Sequence, residues 1–255
     1  MAGHSKWANI KHRKARADAH KGKVFTKLAK ELMVAAREGG GDINDNSRLR
    51  LAFQRAREAN IPQNNIDRAI QKGLGEIDGV NYEQVNYEGY ALGGVAVLLD
   101  ILTDNRNRTA GEIRNIFAKQ GGNMGESGCV SWMFDRKGCL VIEKGENLPA
   151  EDELLLLALE GGAEDFKNED GSFIITTAPE EFEQVKRILK EKGVLLSSAE
   201  VTMIPQSNVH IDDPQEAEKV LLLMESLEDH DDVQNVYANY DIPEEIMQSS
   251  LGAQG

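Results

Sequence analysis

The sequence predicts an α+β protein of three domains: a basic helical domain at the N-terminus, then two ferredoxin-like α+β domains, one inserted in the other. Three observations predict it. Apolar residues recur at helical spacing up to about residue 78, where the pattern changes to short β-branched runs alternating with helical stretches. From Cys139 to Met203 the order of these stretches is βαββαβ. Charge follows the same division, because residues 1–75 hold 16 Lys plus Arg against 7 Asp plus Glu and the rest hold 13 against 36. A chain of net charge −14 is therefore +9 at one end and −23 elsewhere.

The elements follow in order. Residues 6–21 place Lys11, Arg13, Lys14 and Arg16 all around a helix axis, which predicts a cationic arm that orders on binding rather than an amphipathic helix. Beyond Gly22, Phe25, Leu28, Leu32 and Ala35 or Ala36 fall on one helical face, with Lys23, Lys27 and Lys30 elsewhere and a stop at Gly39-Gly40-Gly41. A second helix over about 46–60 buries Leu49, Ala52, Phe53 and Ala56 and leaves Arg48, Arg50, Arg55 and Arg57 outside. A short third helix starts near Pro62 and has Gly73 as its expected C-terminal cap. From Tyr82 come a strand in VNYEGYA, another in GGVAVLLDILT, and a helix whose capping box is Thr109 to Glu112. VSWMF and CLVIEK read as a hairpin across an Arg-Lys-Gly turn. The last segment, VHI, a helix over 214–227 and VQNVYAN, supplies the strands missing from the domain that GGVAVLLDILT begins. The expected boundaries are 1–80 for the helical domain, 81–136 with 206–245 for the discontinuous domain, and 137–205 for the acidic insertion.

Only Cys129 and Cys139 are available for sulfur chemistry, so neither a disulfide framework nor a cysteine zinc site is expected. No run approaches the ~18 apolar residues of a membrane span, and the basic N-terminus lacks a signal-peptide apolar segment. A cytoplasmic location and no membrane partner follow as expectations.

Concentrated positive charge in an acidic chain points to a polyanion. The candidate contacts are Lys6, Lys11, Arg13, Lys14, Arg16, Lys21, Lys23, Lys27 and Lys30, with Trp7 either stacking on a base or anchoring the arm. Attraction between basic and acidic domains of the same chain is the competing explanation. In Asp104-Asn-Arg-Asn-Arg-Thr109, Arg106 and Arg108 can meet a phosphate at a helix N-terminus, or the run is a turn held by its Asp and Asn side chains. Gly121, Gly122, Gly125 and Gly128 lead from helix into strand, the wrong order for a phosphate cradle, and read as a connecting turn. His4, His12 and His20 lack helical ligand spacing, and Glu228, Asp229, Asp231 and Asp232 lack the pattern of a calcium loop. The former are assigned to the cationic surface and the latter to solvated acidic surface. No metal, cofactor or small-molecule substrate is expected, and no nucleophile motif marks an enzyme. A metal-dependent enzyme acting on nucleic acid is the third choice.

The motifs MAGHSKWANIKHRK, GKVFTKL, YEGYALGG, LTDNRNRTAGEIR, GGNMGESGCVSWMF, SAEVTMIP and LEDHDDVQNVY together resemble the YebC/PmpR family over nearly the whole chain. The one departure noticed is Cys129, where the family pattern leads us to expect a small hydroxyl residue. That resemblance implies three domains and a DNA-binding transcriptional regulator. Organellar relatives are described as translational activators and some bacterial ones as ribosome-associated translation factors, so it also implies ribosomal RNA as the alternative partner. The expected function is a non-enzymatic regulator of gene expression acting through the basic N-terminal domain, with the acidic domains free to meet a basic protein.

Overall fold

The computed structural model describes residues 21–145, 148–169, 171–243 and 245–247. Among them the chain forms α1 (Lys21–Gly39), α2 (Ser47–Glu58) and α3 (Gln63–Leu74), then β1 (Glu83–Tyr90), β2 (Ala96–Thr103), α4 (Arg106–Lys119) and β3 (Asn123–Met124). Next come β4 (Phe134–Glu143), α5 (Glu151–Glu160), β5 (Ala163–Glu169), β6 (Ser172–Thr177), α6 (Phe182–Glu191) and β7 (Ser198–Pro205). The last elements are β8 (Val209–His210), α7 (Pro214–Glu228), β9 (Val233–Ala238) and β10 (Tyr240–Asp241). Helix and sheet are mixed as the sequence predicts. Two compact units result, one running to Ser131 and including Ile211–Ala238, the other formed by Trp132–His210 with residues from Asn239 onward. No helix among the described residues is long and apolar enough to cross a membrane.

In the first unit, α1, α2 and α3 enclose a core of Leu32, Ala36, Leu49, Ala52, Ile66 and Ala69, none more than 4% exposed. Small residues let the helices approach closely. The closest approach is at Gly73, where an added Cβ would run into the Met33 carbonyl oxygen and lie 2.9 Å from the Ala36 Cβ. Gly73 is thus a packing residue inside α3 and not its cap. The cap is Gly75, in the left-handed region at φ 76°, because Leu74 still continues the helix. Asn46 caps α2 by accepting the Leu49 N–H at 2.9 Å.

The sheet of this unit has the order β3-β1-β2-β9, antiparallel throughout, with β2 central and almost wholly buried. β9 lies beside β2, as the sequence predicts for VQNVYAN. The slot expected for VHI is instead taken by β1, since the tight turn at Gly93-Gly94 pairs β1 with β2 from Glu83↔Thr103 to Tyr90↔Ala96. VHI becomes β8, which pairs with β10 in the other unit. The expected capping box at Thr109 is also displaced. Asn105 caps α4 by accepting the Arg108 N–H, and Thr109 is buried one turn inside the helix.

The second unit follows the predicted βαββαβ path through β4, α5, β5, β6, α6 and β7, with the ferredoxin-like sheet order β5-β6-β4-β7. Its core lies between the sheet and the two helices, built on Leu140, Ile142, Leu154, Ile175, Val185 and Leu189. The predicted VSWMF/CLVIEK hairpin does not form. Arg136-Lys137-Gly138 runs extended through the middle of β4, because β7 pairs with that strand continuously from Phe134↔Pro205 to Val141↔Ser198. Gly138 is required by close approach, since a Cβ there would lie 2.7 Å from the Phe182 ring.

Candidate nucleic-acid interface

Lys6, Trp7, Lys11, Arg13, Lys14 and Arg16 lie outside the described residues, as does the side chain of Lys21. The next three candidates share a surface of α1, being spaced i, i+4 and i+7. That surface meets the C-terminal end of α7. Lys27 Nζ donates to the Glu228 carbonyl at 2.7 Å, Lys23 Nζ to the Asp229 carbonyl at 3.1 Å, and Lys30 Nζ to the Asp231 carbonyl at 2.9 Å. The last turn of α7 has no basic residue of its own, so Lys27 satisfies the final carbonyl of the helix, Lys23 that of its C-cap and Lys30 one in the turn beyond, and the cations meet the negative end of its dipole. Burial, reinforced by Lys23, pushes the Lys27 ammonium below its usual range despite the acids around it. Lys23 keeps a half-exposed ion pair with Asp229 at 3.2 Å.

Lys30 is 6% exposed and forms an ion pair with Asp232 at 2.7 Å. Asp232, itself 4% exposed, is therefore not the solvated surface acid expected from its sequence neighbourhood. Its other oxygen accepts from Arg108 at 2.8 Å and from the Thr109 hydroxyl at 2.7 Å. A relay stands behind that hydroxyl: the Asn105 N–H donates to Thr103 Oγ1 at 2.9 Å, and Thr103 lies 2.7 Å from Thr109 Oγ1. The motif LTDNRNRT thus joins β2, α4, α1 and the α7–β9 turn through one carboxylate. Burial alone would raise the Asp232 carboxyl, but hydrogen bonds from Lys30, Thr109 and Arg108 outweigh it and hold that group far below the usual carboxylate range.

Glu112, His230 and Asp232 bring three potential metal-ligand atoms within 4.8 Å of one another. The hydrogen bonding describes a charge network instead. His230 Nδ1 accepts the Asp232 N–H at 3.1 Å, which leaves Nε2 to donate to Glu112 at 2.9 Å, and two cations already share Asp232. A metal ion would have to displace these partners.

Arg108 is drawn inward by Asp104 and Asp232, both of which raise its pKa. Arg106 remains 62% exposed, with Glu83 at 3.7 Å. Tyr87 donates to the Arg106 carbonyl at 3.0 Å, and Arg114 is exposed on the same helix. The helical domain exposes Arg50, Arg57 and Arg68, with Asn64 and Asn65 on the polar side of α3. Asn64, Asn65 and Arg68 were not singled out in sequence, although the polar stripe opposite Ile66, Ala69 and Ile70 is visible there. The glycine segment 121–131 connects α4 to β4 by way of the short β3, and three of its N–H groups share one acceptor: Gly128, Val130 and Ser131 donate to the buried Glu88 carboxylate at 2.7, 2.7 and 2.8 Å. These bonds outweigh burial and keep Glu88 below its ordinary pKa. An anion nest is present, and the chain fills it with its own carboxylate.

A family profile described as the TACO1/YebC second and third domain matches residues 82–240, and one described as the TACO1/YebC protein N-terminal domain matches residues 5–76. A protein of Natranaerobius thermophilus is 59% identical over 98% of this chain and 100% of its own length. One of Dictyoglomus turgidum is 59% identical over 98% of this chain and 99% of its own. Both are named "probable transcriptional regulatory protein". The crystal structure of a conserved hypothetical protein from Aquifex aeolicus superposes with a TM-score of 0.81 at 51% identity, covering 96% of this chain and 100% of that one.

Proposed function

The chain belongs to the TACO1/YebC family, and from that premise we propose that it is a cytoplasmic, non-enzymatic regulator of transcription that binds DNA through its basic N-terminal region. The observation that carries this is the charge segregation: 16 basic residues against 7 acidic in the first 75 positions of a chain of net charge −14. The names of the relatives support the regulatory role. Because Lys23, Lys27 and Lys30 are engaged with the α7 end and Asp232, the phosphate contacts are assigned to the Lys6–Arg16 arm and Lys21. The exposed arginines of α2 and α3, with Arg106, are supporting contacts. Trp7, set among the arm cations, favours ribosomal RNA as the second target, since aromatic stacking suits unpaired bases.

Reversing Lys11, Arg13, Lys14 and Arg16 to Glu in the full chain should weaken binding to a DNA duplex at least about a hundredfold at low salt, with unchanged circular dichroism. Unaltered affinity would remove the arm from the interface. Crosslinking in cells followed by sequencing of bound DNA and RNA separates promoters from ribosomal RNA.

A further inference from the structure

Helix α5 of the second unit has a second side with no partner among the described residues. Leu154, Leu157 and Ala158 face the core, whereas Leu156 and Leu159, one turn apart, are 63% and 55% exposed. Acids surround this apolar pair. Asp152 and Glu153 lie one turn before Leu156, Glu160 lies one turn after it, and all three are exposed. The helix contains no Lys or Arg, and Glu160 sits in its last turn, where a carboxylate opposes the helix dipole. Both features oppose stability and solubility: a solvent-facing helix end ordinarily carries a cation, and exposed leucines are ordinarily polar. The unit around it is acidic, with 16 Asp plus Glu against 8 Lys plus Arg between residues 132 and 210.

We propose that the Leu156–Leu159 face of α5 docks a basic amphipathic helical segment of a partner protein, its apolar residues covering the two leucines and its lysines or arginines meeting Asp152, Glu153 and Glu160. Charge complementarity selects this occupant. A second copy of the same face would set these acids against like charges, and a nucleic acid would be repelled by them. The leucine pair supplies burial, and the acids supply orientation and salt dependence.

The test uses the full chain and two synthetic amphipathic helical peptides of equal length, one of leucine and lysine, the other of leucine and glutamate. By fluorescence anisotropy the lysine peptide should bind and the glutamate peptide should not. Leu156→Ser with Leu159→Ser, and separately Asp152→Lys with Glu153→Lys and Glu160→Lys, should each weaken the lysine peptide at least about tenfold. These positions are exposed, so circular dichroism and the unfolding midpoint should hold. Equal binding by wild type and both variants would place the peptide elsewhere on the acidic surface and overturn the proposal. So would wild-type dimerisation, seen in sedimentation, that the serine variant abolishes, because the occupant would then be a second copy.

Discussion

Asp232 links more of the first unit than any sequence pattern around it suggests. Lys30 and Arg108 both depend on it for charge, and removing a buried carboxylate leaves a buried ammonium uncompensated. Asp232→Asn should therefore destabilise the protein by about 3–5 kcal/mol in urea unfolding. Lys30→Met should cost less, because Asp232 would keep Arg108 and Thr109. Equal losses would mean that the ion pair is not the controlling contact. The pH dependence has a definite sign. Since the folded-state pKa of Asp232 is depressed, its stabilisation is fully present above the ordinary carboxylate range, about 4, and is lost as pH falls through the depressed value. Glu88 behaves likewise. The gap in urea midpoint between wild type and Asp232→Asn should stay constant from about pH 7 to 5 and narrow below about 4.

Among the elements, α3 shows how packing overrides propensity. On propensity alone Gly→Ala inside a helix gains roughly 0.5–1 kcal/mol. At Gly73 the new methyl would meet the backbone of α1, which cannot move aside as a flexible side chain would, so Gly73→Ala should be destabilising by about 1–2 kcal/mol. Gly111, on the exposed side of α4 with nothing within 4 Å, is the control, and Gly111→Ala should stabilise by roughly 0.5–1 kcal/mol. Thermal unfolding of the two variants checks both signs. The same contrast explains what could be read in advance. Periodicity located α1, α2 and the βαββαβ path because those patterns are local. The cap at Gly75, the straight run of β4 through Arg136-Lys137-Gly138 and the displacement of VHI depend on residues distant in sequence. So do the partners of Lys23, Lys27 and Lys30, which lie about 200 positions downstream. Their shared helical surface was legible, but what it faced was not.

For the whole molecule, charge segregation divides between two tasks. Part of the positive charge is consumed internally, where lysines of α1 hold the end of α7, and part is available to a polyanion. On the proposed function, the acidic remainder, at −23, would repel nucleic acid elsewhere and confine it to the basic end. These tasks can be separated experimentally, because counterion release responds only to cations that touch phosphate. In a plot of log K against log salt, neutralising Lys11, Arg13, Lys14 and Arg16 should lower the slope by up to about 0.9 per lost contact on duplex DNA, or ~0.7 on single strands. The unfolding midpoint should not change. Lys27→Gln with Lys30→Gln should do the reverse, lowering the midpoint while the slope stays that of wild type, since neither ammonium is offered to a ligand. If the slope fell in that double variant while the fold held, α1 would have to release α7 on binding, and the lysine row would belong to the interface after all.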